Sequence, residues 1–293
     1  MLAQCLEALN INPTGTYVDA TFGGGGHSKK ILEKLNGGRL IGFDQDEDAK
    51  TEAEKITDRS FTFCHANFMY LKRYLKFHGV GKVDGILADL GISSHQIDAP
   101  ERGFSTRFDG PLDMRMGKTV QLTAADVLNS YSEEDLHKLF GMYGELKNAK
   151  TVARTIVQRR VTKPLARTED LKNILQRLAP RGKENKYFAQ VFQALRIEVN
   201  QEMTALENFL HQCGEVLTKG GRLVVMSYHS LEDRMVKNYI AKGKVFGDVE
   251  KDFFGNVLKP MEAVTRKPVT PSDEEIEENK RARSAKLRVA EKL

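Results

Sequence analysis

Cysteine is scarce in this chain, long apolar runs are missing, and no targeting pattern is visible. The three cysteines, Cys5, Cys64 and Cys213, are odd in number, scattered, and free of any Cys-x-x-Cys spacing. That argues against a disulfide framework and a structural zinc, so no metal is expected and a reducing cytoplasm is the natural setting. No apolar run approaches the roughly 18 residues of a membrane helix, so no membrane partner is expected. The first residues, MLAQCLEALN, hold Glu7 and no basic segment, unlike a secretory signal. Internal repeats are absent as well. What is there is ordinary for a globular protein: 293 residues, 40% hydrophobic, 29% charged, net charge +5. Such a length buries a substantial core in one large domain or two. Mild basicity alone says little about a polyanionic partner.

The informative stretch is DATFGGGGHS, from Asp19 to Ser28. An acid, a spacer and four glycines lead into a helix start, and the apolar run Leu40 to Phe43 ends at a second acid, Asp44. The pattern describes a nucleotide-shaped ligand held between two adjacent parallel strands. Glycines let the turn after the first strand, Thr16 to Ala20, approach the ligand, and the second carboxylate accepts hydrogen bonds from ribose hydroxyls. A dinucleotide fingerprint wants glycine at its first, third and sixth positions, with pyrophosphate on the helix N-terminus. Counted from Gly23, the sixth position is Ser28. The remaining arrangement, Asp19 ahead of Gly23 and Gly25, suits a ligand with a cationic amino-acid tail and no phosphate, S-adenosylmethionine. A nicotinamide-dependent oxidoreductase is the competing reading of the same turn and Asp44.

Strand and helix alternate through the first third. Ser28 is expected to cap a helix that buries Ile31, Leu32 and Leu35, and Asp46 to cap the next. A third strand spans Phe61 to His65. A fourth, Val83 to Leu90, is apolar on both faces, as a buried parallel strand should be. This βαβ series predicts a doubly wound, mostly parallel α/β sheet. From Asp109 to about Asn200 no long strand is visible, and Thr123, Ser132 and Thr168 mark three helix starts. Apolar residues from Phe188 to Leu217 then step by threes and fours, as in one long helix or two near-continuous ones. Arg222 to Tyr228 reads as a fifth parallel strand. The simplest account is an all-α insertion between strands four and five, hanging over the carboxyl edge where ligands of such sheets bind. After Lys251 the chain is polar and irregular, acidic over Asp273 to Glu278 and basic over Lys280 to Arg288.

Polar groups gather at the strand ends. Asp89 closes strand four and is followed by Leu90-Gly91-Ile92-Ser93-Ser94-His95-Gln96; strand five runs into Ser227, Tyr228 and His229. Phe68, after strand three, suits an adenine face and a core position equally. His229 is expected opposite Asp89 across the cleft, in a catalytic role. A C5-pyrimidine methyltransferase needs a cysteine nucleophile near strand four, and none lies there. An exocyclic amine needs instead an acceptor for its protons as the nitrogen turns tetrahedral. Asp89 and the Ser93–Ser94 turn qualify, and Tyr228 is placed to stack on the base. The tetrapeptide usual in amino-methyltransferases, an acid, Asn or Ser followed by Pro-Pro-Tyr, is absent.

Taken together, these segments resemble the bacterial 16S ribosomal RNA cytosine-N4 methyltransferases. The matches are YVDATFGGGGHS (Tyr17 to Ser28), DQD (Asp44 to Asp46), VDGILADLGISS (Val83 to Ser94), ERGFS (Glu101 to Ser105) and GPLDMRM (Gly110 to Met116). They continue with ALRIEVNQE (Ala194 to Glu202), GGRLVVMSYHSLEDR (Gly220 to Arg234) and NKRARSAKLR (Asn279 to Arg288). The resemblance implies a class I, Rossmann-like methyltransferase domain in two parts, 1–105 and 201–293 with the tail, around an inserted substrate-recognition domain at 106–200. It implies adenosylmethionine ligands at Gly25, Gly26, His27, Asp44, Phe68, Asp89 and Gln96, and N4 methylation of one cytidine in the decoding centre of 16S rRNA. Catalysis is assigned to Asp89, Ser93, Ser94 and His229, and RNA contact to Arg115 and Tyr228.

Three departures from the family pattern stand out. The short His-containing segment that normally precedes Leu2 and closes one side of the cofactor site is missing, which is expected to weaken cofactor binding. Tyr228 replaces the usual phenylalanine, and Lys280 a common proline. For RNA phosphates the candidates are Arg154, Arg159, Arg160, Lys163 and Arg167, and the basic run near the C-terminus. The acidic run beside the latter suggests an intramolecular partner instead. A non-catalytic clamp on rRNA is the third functional alternative, and a homodimer is left open.

Overall fold

The computed structural model describes residues 1–293. The elements in order are α1 (Leu2–Leu9), β1 (Thr16–Asp19), α2 (Gly26–Leu32), β2 (Arg39–Asp44), α3 (Glu47–Ala53), β3 (Phe61–His65), α4 (Leu71–Phe77) and β4 (Val83–Asp89). Next come α5 (Ser94–Asp98), α6 (Ala124–Ser130), α7 (Glu133–Met142), α8 (Ala149–Thr162), α9 (Thr168–Leu175), α10 (Glu184–Asn200) and α11 (Glu202–Val216). The chain closes with β5 (Leu217–Ser227), α12 (Ser230–Lys242), β6 (Met261–Ala263), α13 (Asp273–Glu278) and β7 (Lys286–Lys292).

Two compact units result, one of Met1–Gly91 with Met203–Leu293 and one of Ile92–Glu202. The division after Gly91 precedes the break expected after Ser105. Ile92 and Phe104 already pack with the helical core, so the polar run after β4 opens the helical unit.

The first unit is built on a seven-stranded sheet of order β3-β2-β1-β4-β5-β7-β6. Strands β1 to β5 pair in parallel, and β7 runs antiparallel between β5 and β6. This is the doubly wound α/β arrangement expected from the βαβ rhythm. Strand order reverses between β1 and β4, and such a switch point opens a crevice beyond the carboxyl ends of both strands. β4 is committed to the core: Val83, Ile86, Leu87 and Ala88 are fully buried, and only its two acids, Asp84 near the start and Asp89 at the end, are partly exposed.

Local chemistry explains the points where expectation and structure part. Helix α2 begins at Gly26, with Gly25 as N-cap in the left-handed region at φ 76°. Ser28 is therefore inside the helix, and its hydroxyl donates to the buried Asp19 Oδ2 at 2.7 Å instead of capping. Asp46 caps α3 as expected, accepting from Asp48 N–H. Thr168 is the first residue of α9, with Arg167 ahead of it as N-cap. The chain after Lys251 is more regular than its polarity suggested. Along β7, Leu287 and Val289 are buried on one face of the sheet and Ala290 on the other, and Lys286 and Arg288 both pair with Asp233.

The second unit packs α6 to α10 around Val127, Leu128, Leu136, Phe140, Val152, Ile156, Leu171, Val191 and Leu195. Thr123 and Ser132 cap α6 and α7 through their side chains. The apolar sequence from Phe188 onward forms two helices, because Gln201 takes a left-handed conformation at φ 50° and ends α10. Buried Asn200 ties this helix to the 111–116 segment: its Nδ2 donates to Met114 O, and its Oδ1 accepts from Met116 N–H, both at 2.7 Å.

Candidate active site

Three carboxylates stand at the carboxyl ends of β1, β2 and β4. Asp19 is fully buried, accepting from Thr21 N–H at 3.2 Å and from Ser28. Asp44 holds the glycine turn with one oxygen and the start of α3 with the other: Oδ2 accepts from Gly23 N–H at 2.8 Å, Oδ1 from Asp46 N–H at 2.9 Å. Asp89 accepts the Tyr228 hydroxyl on Oδ1 at 2.8 Å, and its Oδ2 lies 3.9 Å from His27 Nδ1. Backbone bonds from Ala20 to Leu87, from Phe22 to Phe43, and from Asp89 N–H to Thr21 Oγ1 stitch the turn to both neighbouring strands. The glycine turn and its acids therefore form one rigid frame.

Burial dominates the electrostatics. It pushes Asp44 and Asp89 up to about 6 and raises Asp19 too, with the mutual repulsion of the acids adding to it. The His27 imidazole is the neighbouring side chain that favours the ionised forms of both Asp19 and Asp89, and no lysine or arginine pairs with any of the three. Carboxylates held above their ordinary range in a crevice welcome a cationic ligand and reject a phosphate.

The turn has room for a ligand. A Cβ on Gly24 or Gly26 would meet nothing within 4 Å, whereas one on Gly25 would strike the Phe22 ring at 2.8 Å. Gly25 is thus demanded by its own fold, while Gly24 and Gly26 face open space. Nε2 of His27 is buried without a hydrogen-bond partner beside them. The residues present therefore fit S-adenosylmethionine: acids for a ribose and a cationic tail, a bare backbone to lie along, and one orphaned polar atom.

Of the sequence-predicted residues, Gly25, Gly26, His27, Asp44 and Asp89 meet at this frame. Phe68 is half-buried after β3 and packs on the core, its ring meeting Phe209 edge-on at 5.1 Å. Tyr228 reaches the frame through its hydroxyl. His229 is used locally: it N-caps α12, its Nδ1 accepting from Glu232 N–H, while Glu232 Oε2 accepts from Tyr228 N–H at 2.8 Å. Ser93, Ser94 and Gln96 belong to the helical unit, where Ser93 and buried Gln96 form a reciprocal capping box that starts α5 at Ser94. Arg115, in the same unit, grips Asp113 with two hydrogen bonds of 2.8 and 2.7 Å.

Sequence reasoning missed Thr21, whose hydroxyl fixes the Asp89 backbone, and the true partner of Ser28. A hydroxyl two residues beyond an acid at a strand end was the available signal. Among the basic candidates, Arg154, Arg160, Lys163 and Arg167 all find partners within the helical unit, in Glu133, Leu128 O, Asp170 and Asp109. All three cysteines are buried, and burial pushes Cys5 and Cys64 up to about 12, so none is a nucleophile.

The chain can now be set beside known proteins. A protein named Ribosomal RNA small subunit methyltransferase H from Cytophaga hutchinsonii is 58% identical over 292 residues, covering 100% of this chain and 98% of the relative. Its namesake from Flavobacterium psychrophilum is 55% identical over 100% of both chains. A solved rRNA methylase from Streptococcus thermophilus is 13% identical with a TM-score of 0.42, covering 100% of this chain and 93% of that one. The model of the MraW methylase family matches residues 1–293. The chain belongs to the MraW methylase family and is a methyltransferase.

Proposed function

We propose that this methyltransferase moves the methyl group of S-adenosylmethionine to N4 of one cytidine in the decoding centre of 16S rRNA, acting in the cytoplasm on the small ribosomal subunit. The observation that carries the donor is the frame of three raised carboxylates around an open glycine turn, none of them paired with a lysine or arginine. The names of its relatives support rRNA of the small subunit as acceptor. The donor supplies an electrophilic methyl group on a sulfonium.

In this reading Asp44 accepts the ribose hydroxyls, Gly25, Gly26 and His27 line the donor's path, and the half-buried Phe68 packs against adenine. Gln96 is the one donor ligand assigned to the helical unit, which is read as the substrate-recognition domain. Asp89 accepts hydrogen bonds from amines. A carboxyl poised near 6 is largely ionised at neutral pH and is a competent acceptor for protons of a cytosine amine as its nitrogen becomes tetrahedral. The Ser93–Ser94 turn supplies further acceptors, and Arg115, held by Asp113 and Val120 O, is the residue assigned to RNA contact. His229 takes a positioning role, holding the turn that carries Tyr228. Splaying the target base costs a few kcal/mol, which contacts to the splayed base and to the RNA backbone offset.

The test is transfer of labelled methyl from S-adenosylmethionine to small subunits that lack the modification, followed by nucleoside analysis. N4-methylcytidine at a single position is expected. Label on another base or another atom, or no transfer despite tight binding, would overturn the assignment and in the last case favour an rRNA clamp.

A further inference from the structure

Tyr228 stands apart from the other aromatic residues near the frame because its polar end is committed. The hydroxyl donates to Asp89 Oδ1 at 2.8 Å. Its backbone N–H is fixed by Glu232 Oε2, and its ring packs on the cluster that holds Tyr17, Leu87 and Met226. Asp89 itself is pinned from the other side by its N–H bond to Thr21 Oγ1. With both partners anchored, the phenol decides which carboxylate oxygen points where. Stacking on a base uses a ring face, whereas the bond to Asp89 uses the hydroxyl, so the two roles can be told apart by substitution. Tyr228 is half-buried and its hydroxyl is bound.

We propose that Tyr228 is a positioning residue for Asp89: its hydroxyl holds Oδ1 so that Oδ2, on the His27 side, is the oxygen offered to the ligand. The inference rests on Asp89 belonging to the donor and acceptor site. It replaces base stacking by Tyr228 with control of a carboxylate. The groups facing Asp89 are His27 on α2, Asp19 at the end of β1, Cys5 on α1 and the amino group of Met1. His27 and the amino group favour its charge, while Asp19 opposes it. The phenol is a third favourable influence, and it donates more strongly to the ionised carboxylate than to the neutral acid.

Two substitutions separate the hydroxyl from the ring. Tyr228→Phe removes only the donor, whereas Tyr228→Leu also removes the aromatic face. The Asp89 carboxyl is followed by carbon NMR in the ligand-free protein, assigned through its loss in Asp89→Asn, beside pH profiles of kcat/KM and the KM for small subunits. For Tyr228→Phe the proton affinity of Asp89 is expected to rise roughly three- to tenfold, moving its midpoint and the acid limb of kcat/KM to higher pH with KM for subunits unchanged. An unmoved midpoint with an unmoved acid limb overturns the proposal. So does a raised KM in Tyr228→Leu alone, which returns Tyr228 to stacking. Wild-type donor binding and turnover in Asp89→Asn would sink the site assignment instead, while the NMR midpoint still judges the hydrogen bond.

Discussion

Asp89 carries an electrostatic cost in the absence of ligand, and removing its charge should make the protein more stable. Burial lifts this carboxyl from 3.8 to about 6. At about 1.4 kcal/mol per unit, that difference amounts to roughly 3 kcal/mol of destabilisation once the group is ionised. The side chain is 26% exposed, so solvent screening brings the figure to about 1–2 kcal/mol. The sign follows from proton binding. The folded state holds this proton more tightly than the unfolded chain, so stability falls as pH rises from the ordinary carboxylate range to about 6 and stays low above it. Asp89→Asn keeps an oxygen for Tyr228 and abolishes the charge. Its melting temperature without ligand should exceed wild type by roughly 2–8 °C at pH 7.5, taking about 2–4 °C per kcal/mol for a domain of this size. The gain should shrink steadily toward pH 4.5, where the wild-type carboxyl is itself protonated. A variant that melts no higher at pH 7.5, or whose advantage persists unchanged in acid, refutes the reasoning.

The glycine turn offers a contrast between fold and ligand. Gly25→Ala should destabilise by about 1–3 kcal/mol, since a positive φ and the Phe22 ring both oppose a Cβ. Gly26→Ala should melt at or above wild type yet bind S-adenosylmethionine at least about tenfold more weakly, as calorimetry would show; equal donor affinity would remove Gly26 from the site. His229→Ala should lose about 0.5–2 kcal/mol in denaturant unfolding through the missing cap, and His229→Asn should recover most of it. Failure of Asn to rescue turnover together with stability would restore His229 to the chemistry. Asp233→Ala should cost about 1–3 kcal/mol by releasing Lys286 and Arg288, and the loss should fade in acid because those cations hold Asp233 below the usual carboxylate range.

Much of this architecture was legible because it is written in local periodicity. β3 spans the expected residues, β4 ends one residue earlier than expected, and Asp44 closes β2. Asp46, Thr123 and Ser132 announced their helices because capping is a contact between near neighbours. Long-range pairing was the harder part. Strand β7 looks like a polar tail because Lys286, Arg288, Glu291 and Lys292 are interspersed with Leu287, Val289 and Ala290, and its pairing with β5 and β6 makes a strand of it. The role of Ser28 was hidden for a related reason. A serine at a helix start looks like a cap, and its partner Asp19 emerges only once the turn brings them together. His229 shows the reverse case: a polar run at a strand end suggested chemistry, and the nearest use of the ring is a helix terminus.

Titration of S-adenosylmethionine into the ligand-free wild-type protein and into Asp44→Ala, followed calorimetrically, addresses the placement of the donor most directly. One donor per chain is expected for the wild type. In the variant affinity should fall at least about 100-fold, because two hydroxyls lose a charged acceptor and the turn loses its anchor on Gly23. Equal affinity in a variant that still melts cooperatively would contradict the account.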